Sequence, residues 1–345
     1  MIDYRKKTIT KGQQQLRCGY TTGTCAAAAA KAAAVALLTG EIYRDVAICL
    51  PGGENILLEA ETLEHQKNCV KCGVIKDAGD DPDITNGLMI CAAVEKNTSG
   101  EICIDGGEGV GRVTQPGLDQ PVGAAAINSV PRKMIQEAVE SVCRQYHYTE
   151  GLMVTISIPK GRETAEKTLN PMLGIVGGLS VLGTTGIVEP MSEKALIDTI
   201  AVDIRRHRAQ GEDILVMAPG NYGLDYLKAA CDIHSEQVIK ISNFVGDSID
   251  LAVCEGASGI VLAGHIGKLI KVAGGIMNTH SHQADARMEI LTAYAAVAGA
   301  DGETLRLVMK AVTTDAGMEI LQRCGLLSET MQLILGKIQA HVQKR

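Results

Sequence analysis

Thr21-Thr22-Gly23-Thr24-Cys25-Ala26-Ala27-Ala28-Ala29-Ala30-Lys31-Ala32-Ala33-Ala34-Val35-Ala36-Leu37-Leu38 is the stretch on which the fold turns. Alanine is the strongest helix former. The hydroxyl-bearing residues ahead of the alanines supply an N-cap, whose oxygen accepts from the first free backbone N–H groups. The expected element is a capped helix whose small side chains let other backbone approach closely, so that it is buried on most sides. Its apolar part, 25–38, is interrupted by Lys31 and reads as too short to span a bilayer.

Beyond this helix, residues 43–157 hold short β-type runs at 46–50, 56–59, 70–75, 101–104 and 153–158, separated by glycine and proline, with one helix over about 132–146. This predicts an α+β domain over 1–190. An apolar, glycine-bearing stretch, Asn170 to Pro190, leads to the domain boundary. From there the pattern changes. A helix over 192–208 precedes three strand, glycine-loop, helix units, whose strands are expected at 213–218, 238–241 and 259–263. That succession predicts a parallel sheet covered by helices in a second domain, 191–345.

The 345 residues favour two domains, and 46 % apolar with 21 % charged residues is an ordinary globular composition. A net charge of −7, no tryptophan and the single Phe244 argue against a nucleic-acid surface, which needs a basic field and stacking rings. No segment has the order of a signal peptide, and the eleven cysteines are scattered, so reduced thiols, a cytoplasmic location and no membrane association are expected. Cys69 and Cys72 form one CxxC without a second pair at zinc spacing, so no protein metal site is expected.

Ligands of open parallel sheets sit beyond the carboxyl ends of the strands. Gly220 and Asn221, Gly246 and Asp247, and Gly264 and His265 fall at such ends and are the expected cofactor rim. Gly174, Gly177 and Gly178 are the alternative. Gly264 to Lys268 lacks the spacing of a P-loop, and Gly107 to Arg112 lacks that of a dinucleotide fingerprint. Arg112, Arg132, Lys268 and Arg287 are natural carboxylate partners. Asp77, Asp80, Asp81 and Asp83 crowd one turn, where they bind a cation, supply a general base with a raised pKa or simply hydrogen-bond the backbone of the turn; their spacing does not match an EF-hand loop. His280 and His282 lie near an expected helix start capped by Ser281. Two residues apart, they do not form a zinc pair, but either could serve as a base.

The strings Leu16 to Cys25, Lys76 to Asp83, Gly109 to Thr114, Asn170 to Pro190, Pro219 to Gly223, Ser242 to Gly246 and Gly264 to Lys268 continuing through Ser281 together resemble the cobalt-precorrin-5B C1-methyltransferase family, CbiD, along nearly the whole chain. Ser129 departs from the pattern, where a proline is expected in a turn. The resemblance implies a first domain similar to the ribosomal S5 domain 2 type and a Rossmann-like second domain. It also implies transfer of a methyl group from S-adenosylmethionine to ring carbon 1 of cobalt-precorrin-5B, giving cobalt-precorrin-6A in anaerobic cobalamin synthesis.

Cobalt would then enter only within the substrate, with possible hand-over to neighbouring pathway enzymes. On this reading the first domain faces the corrinoid through Thr21, Thr22, Thr24, Arg112 and Arg132, which answer its acetate and propionate carboxylates. The second domain faces the donor. Asp80, Asp81, His280 and His282 are the candidates for proton transfer. A phosphotransferase using the glycine loops and a non-catalytic corrinoid carrier are the competing readings.

Overall fold

The computed structural model describes residues 7–345, and the chain divides into two compact units between Ser192 and Glu193. The first unit begins with a hairpin, β1 (Thr8–Lys11) and β2 (Gln14–Arg17), then β3 (Gly19–Tyr20) and helix α1 (Thr22–Thr39). A second hairpin, β4 (Asp45–Cys49) and β5 (Asn55–Glu59), precedes β6 (Glu61–His65), β7 (Cys69–Ile75), β8 (Met89–Asn97), β9 (Ile102–Gly106) and β10 (Arg112–Val113). Helix α2 (Ser129–Gln145), β11 (Gly151–Ser157), α3 (Gly161–Ala165), β12 (Ile175–Val176) and β13 (Ile187–Val188) complete it. The main sheet has the order β6-β7-β8-β11-β9, antiparallel except for the parallel pair β11 and β9.

Helix α1 is the core element. Thr21 caps it, accepting from the Thr24 N–H at 3.3 Å, and Gly40, at φ 78, closes it by donating to Ala36 O. Of its 18 residues, 14 are buried, because it packs against β7 and β8 on one side and α2 on the other. The sheet presents Val70, Cys72 and Val74, Ile90, Ala92 and Val94, and Leu152, Val154 and Ile156 to this core. The helix is long and apolar enough to cross a membrane, contrary to the expectation from run length. Burial inside the unit accounts for its apolarity.

Strand β8 is central and has no counterpart among the expected strands. Its Met89-Ile90-Cys91-Ala92-Ala93-Val94 lacks the β-branched density of its neighbours. Enclosure between β7 and β11, with α1 pressed on one face, selects small side chains there instead. Cys69 and Cys72 lie on β7 three positions apart, hence on opposite faces; Cys72 is in the core and Cys69 is not. One ion cannot be bound by both.

The second unit comprises α4 (Glu193–Ala209), β14 (Ile214–Ala218), α5 (Asn221–Cys231), β15 (Ile239–Lys240), α6 (Val245–Cys254), β16 (Gly259–Leu262) and α7 (Ile266–Ala273). Four helices follow: α8 (Arg287–Val297), α9 (Gly302–Met309), α10 (Thr314–Arg323) and α11 (Leu327–Lys344). The sheet is parallel, in the order β15-β14-β16. Its chain therefore leaves β14 first to one side and then returns to the other. Helices α5 and α6 begin at Asn221 and Val245. Helix α8 begins at Arg287 after Ala286, so Ser281 caps nothing and His280 to His282 precede the helix.

Replacing Ala29, fully buried in α1, by leucine should cost about 1–3 kcal/mol or abolish folding through overpacking, whereas Val35→Leu, at a half-buried position, should cost less than half as much. Urea unfolding of the two variants checks this.

Candidate functional site

The first turn of α1 is where three distant segments meet. Tyr20 N–H donates to Asp77 O at 2.7 Å, Thr21 N–H to Gly186 O at 3.1 Å and Gly23 N–H to Leu182 O at 3.2 Å. Thr24 Oγ1 donates to Gly186 O at 2.7 Å and lies 3.0 Å from Thr21 Oγ1. Thr21, Thr22 and Thr24 are all buried. The helix start is thus closed by the 182–186 loop, whose carbonyls take the N–H groups that were expected to meet substrate carboxylates. Thr21 and Thr24 hold this junction together.

The acidic turn completes the junction. Asp77 pairs with Arg17 through two bonds, 2.6 and 2.8 Å, Asp80 accepts from Arg17 N–H at 2.6 Å, and Asp81 accepts from Met191 N–H at 2.9 Å. Asp83 binds the buried Lys76 ammonium and Thr85. Burial alone would push the Asp83 carboxyl up, but Lys76 and the Thr85 donors outweigh it and hold it below the usual carboxylate range. Backbone tethering therefore describes this turn better than a repelling carboxylate pair with a raised pKa. Gly79 lies so close to Arg17 O that a Cβ would stand 2.2 Å from it, which fixes the turn against the neighbouring segment.

Across the main sheet, the face away from α1 carries the register row Asp105–Thr155–Ala93–Lys71. Arg112 holds Asp105 with two bonds of 2.7 and 2.9 Å and reaches Gly106 O at 2.8 Å; its guanidinium holds that carboxyl below its ordinary range. Arg132 spends its donors on Ile127 O, Ile104 O and Ala125 O at 2.9, 2.9 and 3.4 Å. It is a structural clamp, not an open carboxylate receptor. Ser129, at the position where a proline was expected, donates both N–H and hydroxyl to Asp119, and proline would lose the first bond. Near β6 and β7 a cleft of about 590 Å³ opens beside Tyr20, with Ile42, Leu57, Ile75 and Met89 on its walls and Arg44, Glu59, Glu61 and Asp77 among its lining.

Gly174, Gly177 and Gly178 belong to the first unit. Thr114 donates N–H and hydroxyl to Gly174 O, each at 2.8 Å, and a Cβ on Gly178 would lie 2.3 Å from Gly109 O. Close backbone packing explains Gly178, and left-handed φ values of 79 and 85 explain Gly174 and Gly177.

In the second unit, the loops after β14 and β16 converge. Lys268 reaches from α7 to donate to Pro219 O, and the Tyr222 and His265 rings lie 5.1 Å apart. His265 Nδ1 accepts from Gly267 N–H at 3.1 Å, which leaves the proton of a neutral ring on Nε2, 3.4 Å from Asp315 Oδ1. Gly220, Asn221, Gly264 and His265 are therefore brought to one place. Tyr222 and Asp315 join them, two residues not among the expected site; Tyr222 lies within a string already singled out, whereas nothing in the sequence marks Asp315.

Gly246 and Asp247 lie elsewhere, in the first turn of α6, which follows β15. There Gly246 N–H donates to Met277 O at 3.1 Å, and Asn243 O accepts from Thr279 N–H at 2.9 Å. The buried Lys271 ties this segment by donating to Thr279 O and Ala284 O at 3.1 and 2.8 Å. His280 and His282 are exposed and stacked, 5.2 Å between centroids. His282 N–H donates to His280 Nδ1 at 3.2 Å, so neutral His280 presents an Nε2–H donor. Among the described residues no three histidine, cysteine, aspartate or glutamate side chains gather at metal-ligand distance.

Because the folded pKa of Asp83 is depressed, its pair stabilises the fold above the unfolded value of about 4 and stops doing so as pH falls through the lower folded value. Asp83→Asn should lower stability at pH 7 by about 3–5 kcal/mol, leaving buried Lys76 unpaired, and should flatten the loss of stability below pH 4. Chemical denaturation at several pH values reads both.

The CbiD family model matches residues 9–190, and a second model, the CbiD C-terminal domain, matches residues 278–345. A cobalt-precorrin-5B C(1)-methyltransferase of Ruminiclostridium cellulolyticum is 48 % identical over 98 % of this chain and 88 % of its own length. The proteins of that name from Thermoanaerobacter sp. and Desulfitobacterium hafniense are 48 % and 44 % identical, over 92 % and 99 % of this chain and 86 % and 87 % of theirs. A solved structure described as a cobalamin biosynthesis protein (cbiD) from Archaeoglobus fulgidus is 27 % identical and covers 82 % of this chain and 89 % of that one, with a TM-score of 0.45.

Proposed function

The chain belongs to the CbiD family, and from that premise we propose that it transfers a methyl group from S-adenosylmethionine to C1 of cobalt-precorrin-5B, in the cytoplasm, as a step of cobalamin synthesis. A sulfonium methyl is already activated, so the donor brings the electrophile and the protein has to align, enclose and manage protons.

The donor is assigned to the Rossmann-like second unit, at the carboxyl ends of β14 and β16. One observation carries this: the order β15-β14-β16 makes β14 a topological switch point, where chain connections diverge and leave a crevice for a ligand. Around it Tyr222 and His265 offer ring faces, Lys268 a cation and Asp315 a carboxylate for hydroxyl or amine groups. The corrinoid is assigned to the open face of the main sheet in the first unit, of the S5 domain 2 type on this reading. The apolar walls of its cleft suit a macrocycle edge, Arg44 is a cation in the cleft lining, and Arg112 lies apart from the cleft, held by Asp105 on that face.

Proton management falls to His280 and His282, with His280 as a donor. Asp80 and Asp81 act by position: Asp80 fastens the acidic turn to Arg17 N–H of β2, and Asp81 fastens the same turn to Met191 N–H. Gly246, through Met277 O, and Asn243, through Thr279 N–H, serve this reading by holding the segment that leads to His280.

Calorimetric titration with S-adenosylhomocysteine tests the assignment. Tyr222→Ala combined with His265→Ala should weaken binding by about tenfold or more, equivalent to about 1.4 kcal/mol, while Arg112→Ala leaves it unchanged and lowers turnover of the corrinoid. Weakened donor binding in Arg112→Ala, with none in the double variant, would move the donor to the first unit. Tight ATP binding would instead favour a phosphotransferase.

A further inference from the structure

The glycines at the strand ends of the second unit have different reasons for being glycine. A Cβ on Gly223 would stand 2.4 Å from Ala263 O, one on Gly246 would stand 2.8 Å from Met277 Cβ, and one on Gly264 would stand 2.9 Å from Pro219 Cγ. Close packing accounts for all three. Gly220 has no such reason. Its φ of 170 and ψ of 175 are extended values open to any residue, and the nearest atom to a side chain at that position is Lys268 Nζ, 3.6 Å away. A larger side chain there would fill the space in front of the ammonium.

Lys268 itself lacks a counter-charge. Among the described residues its amine donates to the Pro219 carbonyl and pairs with no carboxylate. Lys271, one turn along α7, likewise donates to two backbone carbonyls. Neutral carbonyls offset the desolvation of an ammonium less well than an anion does. Burial and the nearby Lys271 push the Lys268 ammonium below its ordinary range, as they do where a cation waits for a partner. Among the described residues two of its N–H groups have no acceptor, and the open volume at Gly220 is where an acceptor fits. Glycine at 220 leaves the backbone and the space in front of the ammonium open to close approach by a ligand.

We infer that Lys268 receives the carboxylate of the amino-acid moiety of the methyl donor, and that residue 220 is glycine to let that carboxylate reach it. This rests on the reading that the donor binds at the ends of β14 and β16, and it adds which end of the donor lies against α7. An ammonium meeting a carboxylate makes a charge-assisted bond in a half-buried setting, among the stronger polar contacts a site can offer.

Two ligands separate the parts: S-adenosylhomocysteine, and 5′-methylthioadenosine, which keeps the nucleoside and thioether but lacks the amino acid. Calorimetry of the full chain should show Lys268→Met weakening S-adenosylhomocysteine by about tenfold or more, as loss of a charge-assisted bond does, with affinity for 5′-methylthioadenosine unchanged. Gly220→Val should give the same pattern with an unchanged melting temperature, and Lys268→Arg should recover part of the loss. Equal weakening of both ligands, or of neither, overturns the inference. So does a loss of affinity for the corrinoid in place of the donor, which would give Lys268 to a substrate carboxylate. If Tyr222→Ala and His265→Ala weaken both ligands while Lys268→Met weakens neither, the donor site stands and this inference alone falls. If none of these variants changes either ligand, the donor site itself is elsewhere.

Discussion

Backbone brought against backbone around α1 is the constraint on which the first unit depends. With alanine at half of its positions, the helix lets β7, β8 and α2 close on it, and every added methylene would have to be accommodated at native packing density. The same tightness extends to its first turn. Gly19 and Gly79 lie where a Cβ would stand 2.1 and 2.2 Å from neighbouring backbone atoms, and Gly183 lies 2.3 Å by the same measure from Thr21 Oγ1. The α1 start, the acidic turn and the 182–191 loop are therefore one rigid junction. Its polar groups are mostly satisfied from within, as buried polar groups must be, so the threonines and aspartates that look like reagents are largely its fasteners.

The second unit follows a different economy. Its loops leave charge unmatched, with Lys268 and Lys271 bonded to carbonyls, and leave rings open, with Tyr222 and His265 side by side at the strand ends. Lys268 and these rings stand at the strand ends beside β14, where the chain connections of the sheet diverge.

Much of this was legible in the residues. The alanine run with its threonine cap located α1, and three strand, glycine-loop, helix units located the parallel sheet, because both signals are local and periodic. The central strand β8 escaped notice, since its small and sulfur-bearing residues answer to α1 across the core and not to local propensity. The four helices after Arg287 lie beyond the rhythm of the preceding units. For the site, residue types marked the right strings but not the partners. That Arg132 faces carbonyls, that Thr24 bonds Gly186 and that Asp315 stands beside His265 are facts of tertiary contact. The tautomers of His265 and His280 likewise follow from a neighbouring N–H that spacing does not reveal.

The central claim is that the methyl donor sits at the switch point of the second unit while the corrinoid faces the first. Hydrogen–deuterium exchange of the full chain, with and without saturating S-adenosylhomocysteine, tests it most directly. The account predicts slowed exchange in peptides covering 219–223 and 264–268, with those covering 61–75 and 89–97 unchanged. Slowing confined to residues 7–192 would contradict it.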